Sequence, residues 1–153
     1  MAAAPAIFFD LGDTLVVPQL GPGGTIAALQ PLPFVVEVLD RLRAGPVTGA
    51  PPPRLGVMSN TPATATVASM RALLTTAGLF SRFDPALLLY SSVEGLTKSN
   101  IEFFKRGAAR AAVPAARCIF VGEDAAERTK AAAAGFRVSF HPLHVFHVLK
   151  EIP

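Results

Sequence analysis

A single cysteine, no internal repeat, no long apolar run and no basic run mark this 153-residue chain. Cys118 has no partner for an internal disulfide, and its place in an apolar segment makes it a core thiol rather than a reactive one. No uninterrupted apolar stretch approaches the roughly 18 residues of a membrane span, so no membrane partner is expected. The N-terminal MAAAPAIFF lacks a basic flank and is soon broken by Asp10 and Asp13, which argues against a secretory leader and for a cytoplasmic location. Basic–aromatic interleaving and zinc-finger spacing are also missing, and no dedicated nucleic-acid module is evident. Charged residues are scarce, at 16% against 51% hydrophobic. That balance excludes a disordered chain and fits one ordered domain, residues 1–153, with a core of its own.

The acids that are present are concentrated. Asp10, Asp13, Glu123, Asp124 and Glu127 account for five of 11, leaving six acids against 14 Lys and Arg elsewhere. If those two segments meet in space, the surface around them is basic and attracts anionic substrates.

The first segment, AIFFDLGDTLV over residues 6–16, reads as a strand buried on both faces that ends in two acids. An unpaired carboxylate costs several kcal/mol to bury, so Asp10 needs a metal, a hydrogen-bonding loop or a chemical role, or else Asp10 and Asp13 simply cap a turn. Residues 18–33, rich in Gly and Pro, read as a loop over the end of the sheet. A helix is expected over 34–44, a strand over 55–59, a helix from Thr61-Pro62 to Gly78 with Val67, Met70, Leu73 and Leu74 on its core face, and a strand over 86–91. A helix over 99–112, a strand over 118–121, an alanine-rich helix over 125–134, a strand over 137–140 and a short helix over 143–151 complete the chain.

Strands separated by single helices imply a mostly parallel sheet of about five strands covered on both faces, a three-layer αβα sandwich of the α/β class. Ligands bind such sheets beyond the carboxyl ends of the strands. Those ends carry Asp10 and Asp13, then Ser59 and Asn60, then Glu123, Asp124 and Glu127, with Lys98 ahead of the third crossover helix. Taken singly, Ser59 reads equally as a helix-entry cap, Lys98 as a solvated lysine and the glutamates as helix-dipole acids. Their joint placement at one sheet edge is harder to obtain from capping.

FFDLGDTL, VMSN, GLTKSNIEFF and IFVGEDAAERTKAAAAGF, in this order from Ile7 to about Phe140, resemble the four motifs of the haloacid dehalogenase-like (HAD) superfamily, mainly magnesium-dependent phosphohydrolases with a Rossmann-like core. The resemblance implies that Asp10 attacks phosphorus to give an aspartyl-phosphate that water then hydrolyses. It implies Mg²⁺ held by Asp10, the Gly12 carbonyl and Glu123, with Glu127 in support and Asp124 beside them. Ser59 would donate to a phosphoryl oxygen, Lys98 would offset charge shared between Asp10 and phosphate, and Thr14 and Asn60 complete the candidate substrate contacts.

One departure bears on activity. The phosphatase pattern is Asp-x-Asp-Gly-Thr, whereas this chain reads Asp10-Leu11-Gly12-Asp13-Thr14, with acid and glycine transposed. The missing second aspartate is the family's proton donor, and general acid–base help is worth roughly 10²–10⁴-fold. Either Asp13 reaches round the turn, or the leaving group needs no proton, or the chain is a weak or inactive relative that acts as a binding module; dehalogenase chemistry, which dispenses with that aspartate, is a further alternative. The intervals between motifs hold no inserted cap domain. Capless relatives have open sites that accept large phosphorylated substrates, or small ones when another subunit of a homo-oligomer provides a lid. His141, His144 and His147, three apart, read as surface or helix-end histidines rather than a metal site.

Overall fold

In the computed structural model, which describes residues 2–153, the apolar run after Pro5 forms β1 (Ala6–Phe9), with every side chain buried. Alternate side chains of a strand point to opposite faces. Ile7 and Phe9 accordingly join one hydrophobic cluster, and Ala6 and Phe8 the other. Three more strands pack in the same way and a fourth flanks them: β4 (Arg54–Ser59), β5 (Leu88–Tyr90), β6 (Cys118–Val121) and β7 (Arg137–Ser139). All pair in parallel, in the order β5-β4-β1-β6-β7, so β1 is central and Asp10 leaves the middle of the sheet.

On the Ile7 face lie α1 (Val35–Arg43), α2 (Val67–Thr76) and α6 (Val145–Leu149), which bury Leu39, Leu42, Met70, Leu74 and Val145. On the Phe8 face lie α4 (Ile101–Ala111) and α5 (Ala125–Ala133). There Phe103, Phe104 and Ala131 close on Phe8 and Phe120, with the Phe104 ring edge-on to Phe120 at 5.1 Å. The molecule is thus a three-layer αβα sandwich around a five-stranded parallel sheet, with no inserted domain between the motifs. Cys118 is fully buried in this core, and burial pushes its thiol up to about 12, consistent with an inert residue.

Two expectations need correction. Residues 18–33 are a β-hairpin rather than a loop: β2 (Val16–Leu20) and β3 (Ile26–Pro31) pair antiparallel around a tight turn. Gly23 and Gly24 adopt φ of 68° and 76° there, angles that favour glycine. The second helix begins at Val67 rather than Thr61, because Thr66 and Ser69 form a reciprocal capping box that satisfies the first free N–H groups. Val67 therefore stands in the first turn and is exposed, leaving Met70 and Leu74 as its buried residues. A short helix, α3 (Ser91–Glu94), follows β5.

Candidate active site

Asp10 is the first residue beyond β1, and its N–H donates to the Val121 carbonyl at 2.9 Å, tying it to the end of β6. Its carboxylate is buried and receives Lys98 Nζ at 2.5 Å on one oxygen and Thr14 Oγ1 at 3.4 Å on the other. Lys98, only 2% exposed, also lies 2.8 Å from Glu127 Oε1. Three ionisable side chains are thus gathered at the sheet edge, Asp10 and Lys98 buried and Glu127 half-buried, two acids to one base. Breaking the buried Asp10–Lys98 pair is costly, because the remaining charge loses its partner.

Local structure explains why Lys98 points inward. Asn60, directly after β4, accepts the Lys98 backbone N–H on its side-chain oxygen at 3.0 Å. The Asn100 N–H closes a turn onto the Thr97 carbonyl, and the Asn100 side chain then caps α4. Ser59, the last residue of β4, is buried, and its hydroxyl donates to the Asn60 carbonyl at 3.4 Å. On the other side, Gly122 lets the chain pass close to the core. A Cβ there would stand 2.8 Å from the Phe120 ring and 3.5 Å from Asp10 Cβ.

Asp10, Gly12, Ser59, Asn60, Lys98 and Glu127 line one cavity of about 210 Å³. Leu11, Pro18, Ile26, Leu29 and Met70 complete its wall. Pro18, Ile26 and Leu29 lie on the hairpin and are not legible as site residues when residues 18–33 are taken as a loop; the signal for them is a Gly-Pro-Gly-Gly centre between two short apolar runs, VVPQL and IAALQ. The remaining candidates stand outside the cavity. Thr14 contacts Asp10 from behind. Asp124 is exposed and caps α5, its carboxylate accepting the Glu127 N–H at 3.0 Å. Glu123 is exposed between Gly122 and that cap, and Asp13 is exposed on the turn after Gly12. His144 bonds Ser139 and His147 faces Glu151, so the three histidines do not converge. Among the described residues no three His, Cys, Asp or Glu side chains are spaced to hold a metal.

The oxygen donors within the cavity nevertheless suit a hard cation. Two acids face one ammonium, leaving net negative charge. Burial, reinforced by Asp10 and Asp124, pushes the Glu127 carboxyl above its ordinary value against the opposing pull of Lys98. Glu127 Oε1 is buried and meets only the Lys98 ammonium, at 2.8 Å. The Gly12 carbonyl accepts no backbone hydrogen bond among the described residues. Asp10, this carbonyl and Glu127 are the ligand types that Mg²⁺ prefers.

No protein-family model and no curated protein matches the sequence. Solved structures do match in shape. A HAD-superfamily hydrolase of subfamily IA from Geobacter sulfurreducens superposes with a TM-score of 0.68 at 17% identity, over 96% of this chain and all of that one. This chain has the HAD fold. A HAD phosphatase from Thermococcus onnurineus gives a TM-score of 0.63 at 17% identity, over 79% of this chain and 59% of that one. A dehalogenase solved with an intermediate gives 0.61 at 19% identity, over 72% of this chain and 44% of that one. On the HAD fold, then, Asp10, Ser59, Lys98 and Glu127 converge at the carboxyl edge of the sheet, where the order of crossovers reverses. Such a constellation can present a carboxylate nucleophile to an electrophilic centre while a lysine and a hydroxyl hold the charge that develops.

Proposed function

We propose that the protein is a metal-dependent phosphohydrolase with Asp10 as nucleophile. The observation that carries this reading is the Asp10–Lys98–Glu127 cluster at the mouth of the central strand, with Asp10 and Lys98 buried. A carboxylate oxygen of Asp10 forms a bond to phosphorus, the bond from phosphorus to the leaving oxygen breaks, and that oxygen takes the electron pair. Water then attacks the same phosphorus, its proton passes to solvent, and phosphate departs with Asp10 restored. Lys98 spreads the negative charge shared by Asp10 and the phosphoryl oxygens, and Ser59 donates its hydroxyl to one of them. Asn60 is a positioning residue that fixes the Lys98 backbone. Mg²⁺, held by Asp10, the Gly12 carbonyl and Glu127, would supply charge neutralisation; Glu123, which the motif resemblance makes the direct ligand in place of Glu127, is exposed outside the cavity, as is Asp124.

Gly12 favours substrates whose leaving group needs no proton, because Asp13 stands outside the cavity. Acetyl phosphate and p-nitrophenyl phosphate meet that requirement. Turnover of both is expected in the presence of Mg²⁺, with a loss of at least about 10³-fold in Asp10→Asn. Equal turnover by native protein and Asp10→Asn would show that the activity belongs to something else. The absence of turnover on both esters would favour a binding module that keeps the HAD fold without the chemistry, a reading that the transposed Gly12 and Asp13 alone support.

A further inference from the structure

A second hollow of about 450 Å³ runs between the hairpin strand β3 and helix α2. None of its 13 lining residues is charged. Its walls are mainly aliphatic, with Ala28 on the hairpin and Leu73 on the helix, and its only polar side chains are the hydroxyls of Thr25, Thr64, Ser69 and Thr76. Ile26, Leu29 and Met70 line both this groove and the cavity that holds Asp10 and Lys98. The two hollows therefore share a wall, and a group attached to a phosphorus beside Asp10 has the groove next to it.

The chemistry of the groove restricts that group. A nucleotide's second charge would find no countercharge there, and a sugar would set more hydroxyls against the aliphatic walls than the four side-chain hydroxyls could partner, at a cost for each one left unpaired. An aryl or acyl body loses only water there, and the unbranched Met70 at the junction can adapt to its shape. The groove also agrees with the missing proton donor, since phenolic and carboxylic oxygens leave as anions without one. We infer that the groove is the leaving-group subsite for an apolar aryl or acyl phosphate. This rests on the phosphohydrolase reading, and it adds the substrate class.

The test compares kcat/KM for 1-naphthyl phosphate and phenyl phosphate, which differ mainly in apolar area, with acetyl phosphate as a control too small to fill the groove. The naphthyl ester should exceed the phenyl ester at least tenfold. Ala72→Asp, which adds a charge at an exposed helix position on the groove, should reduce that ratio about tenfold, and Leu73→Ala should reduce it by a smaller factor. A native ratio near unity, or a ratio unchanged in both variants, would overturn the inference while acetyl phosphate is still hydrolysed. If acetyl phosphate is not hydrolysed, the phosphohydrolase reading fails first. The groove is then judged by fluorescence titration with the non-hydrolysable 1-naphthylmethylphosphonate, using methylphosphonate as competitor. Tighter naphthyl binding by at least tenfold, lost in Ala72→Asp, upholds an apolar phosphonate-linked site; equal binding removes it.

Discussion

At the scale of single residues the turn after β1 is the most informative feature. Asp13 adopts φ of 61°, in the left-handed region where glycine is at ease and an aspartate only tolerated. Gly12, which lines the cavity, has no such requirement, and a Cβ there would meet only the Pro18 ring, no closer than an ordinary 3.7 Å. The backbone thus has room for an acid at 12 and a preference for glycine at 13, the reverse of the sequence. The double substitution Gly12→Asp, Asp13→Gly should raise turnover of alkyl phosphates, whose leaving groups need a proton, by about 10²-fold or more. It should also add up to about 1 kcal/mol of stability by removing a side chain from a left-handed position. A steady-state comparison with p-nitrophenyl phosphate separates the two effects, since that ester should gain much less. A fall in alkyl phosphate turnover would mean that Asp13 already acts as the acid.

At the scale of elements, two contacts fix how neighbouring strands and helices sit. Gly56 in β4 passes so close to the segment leading into β5 that a Cβ would stand 2.4 Å from the Leu87 carbonyl oxygen. Gly56→Ala must therefore push the two strands apart, with a cost of about 3 kcal/mol and a melting temperature lowered by several degrees. An unchanged melt would show that the sheet yields freely there. Far from the site, Arg82 clamps α1 by donating to both oxygens of Asp40, at 2.8 and 3.2 Å. The Arg82 hydrogen bond holds the Asp40 carboxyl below its ordinary value of 3.8 despite the opposing effect of desolvation. A carboxyl with a lowered folded-state value stabilises the fold above its ordinary range, and that contribution disappears as the pH falls through the lowered value. Asp40→Asn should melt lower than the native protein at neutral pH, and the two curves should converge in acid below 3.8. A gap that persists there would assign the stabilisation to packing rather than charge.

At the scale of the whole molecule, much of the fold and half of the site were legible from sequence, for reasons that differ by residue. Buried parallel strands read as continuous apolar runs, so Ile7–Phe9 and Cys118–Val121 announce themselves, and the single helices between strands fix the three-layer arrangement. The strand ends named Asp10, Ser59, Asn60 and Glu127, the segment ahead of a crossover helix named Lys98, and these line the cavity. Spacing could not tell which acid of the Glu123–Glu127 segment turns inward, because that depends on the cap that Asp124 forms at the start of α5. Nor could composition separate a Pro- and Gly-rich loop from a hairpin, since the same residues serve both, and with the hairpin went the apolar wall contributed by Ile26 and Leu29. The most direct test of the central claim is to mix the protein with acetyl phosphate and Mg²⁺, quench in acid within a turnover, and map the phosphorylated peptide by mass spectrometry. One phosphoryl group on the Asp10 carboxylate, absent from Asp10→Asn, is the result predicted; phosphate release with no acyl-phosphate at Asp10, or a phosphoryl group on another residue, would contradict it.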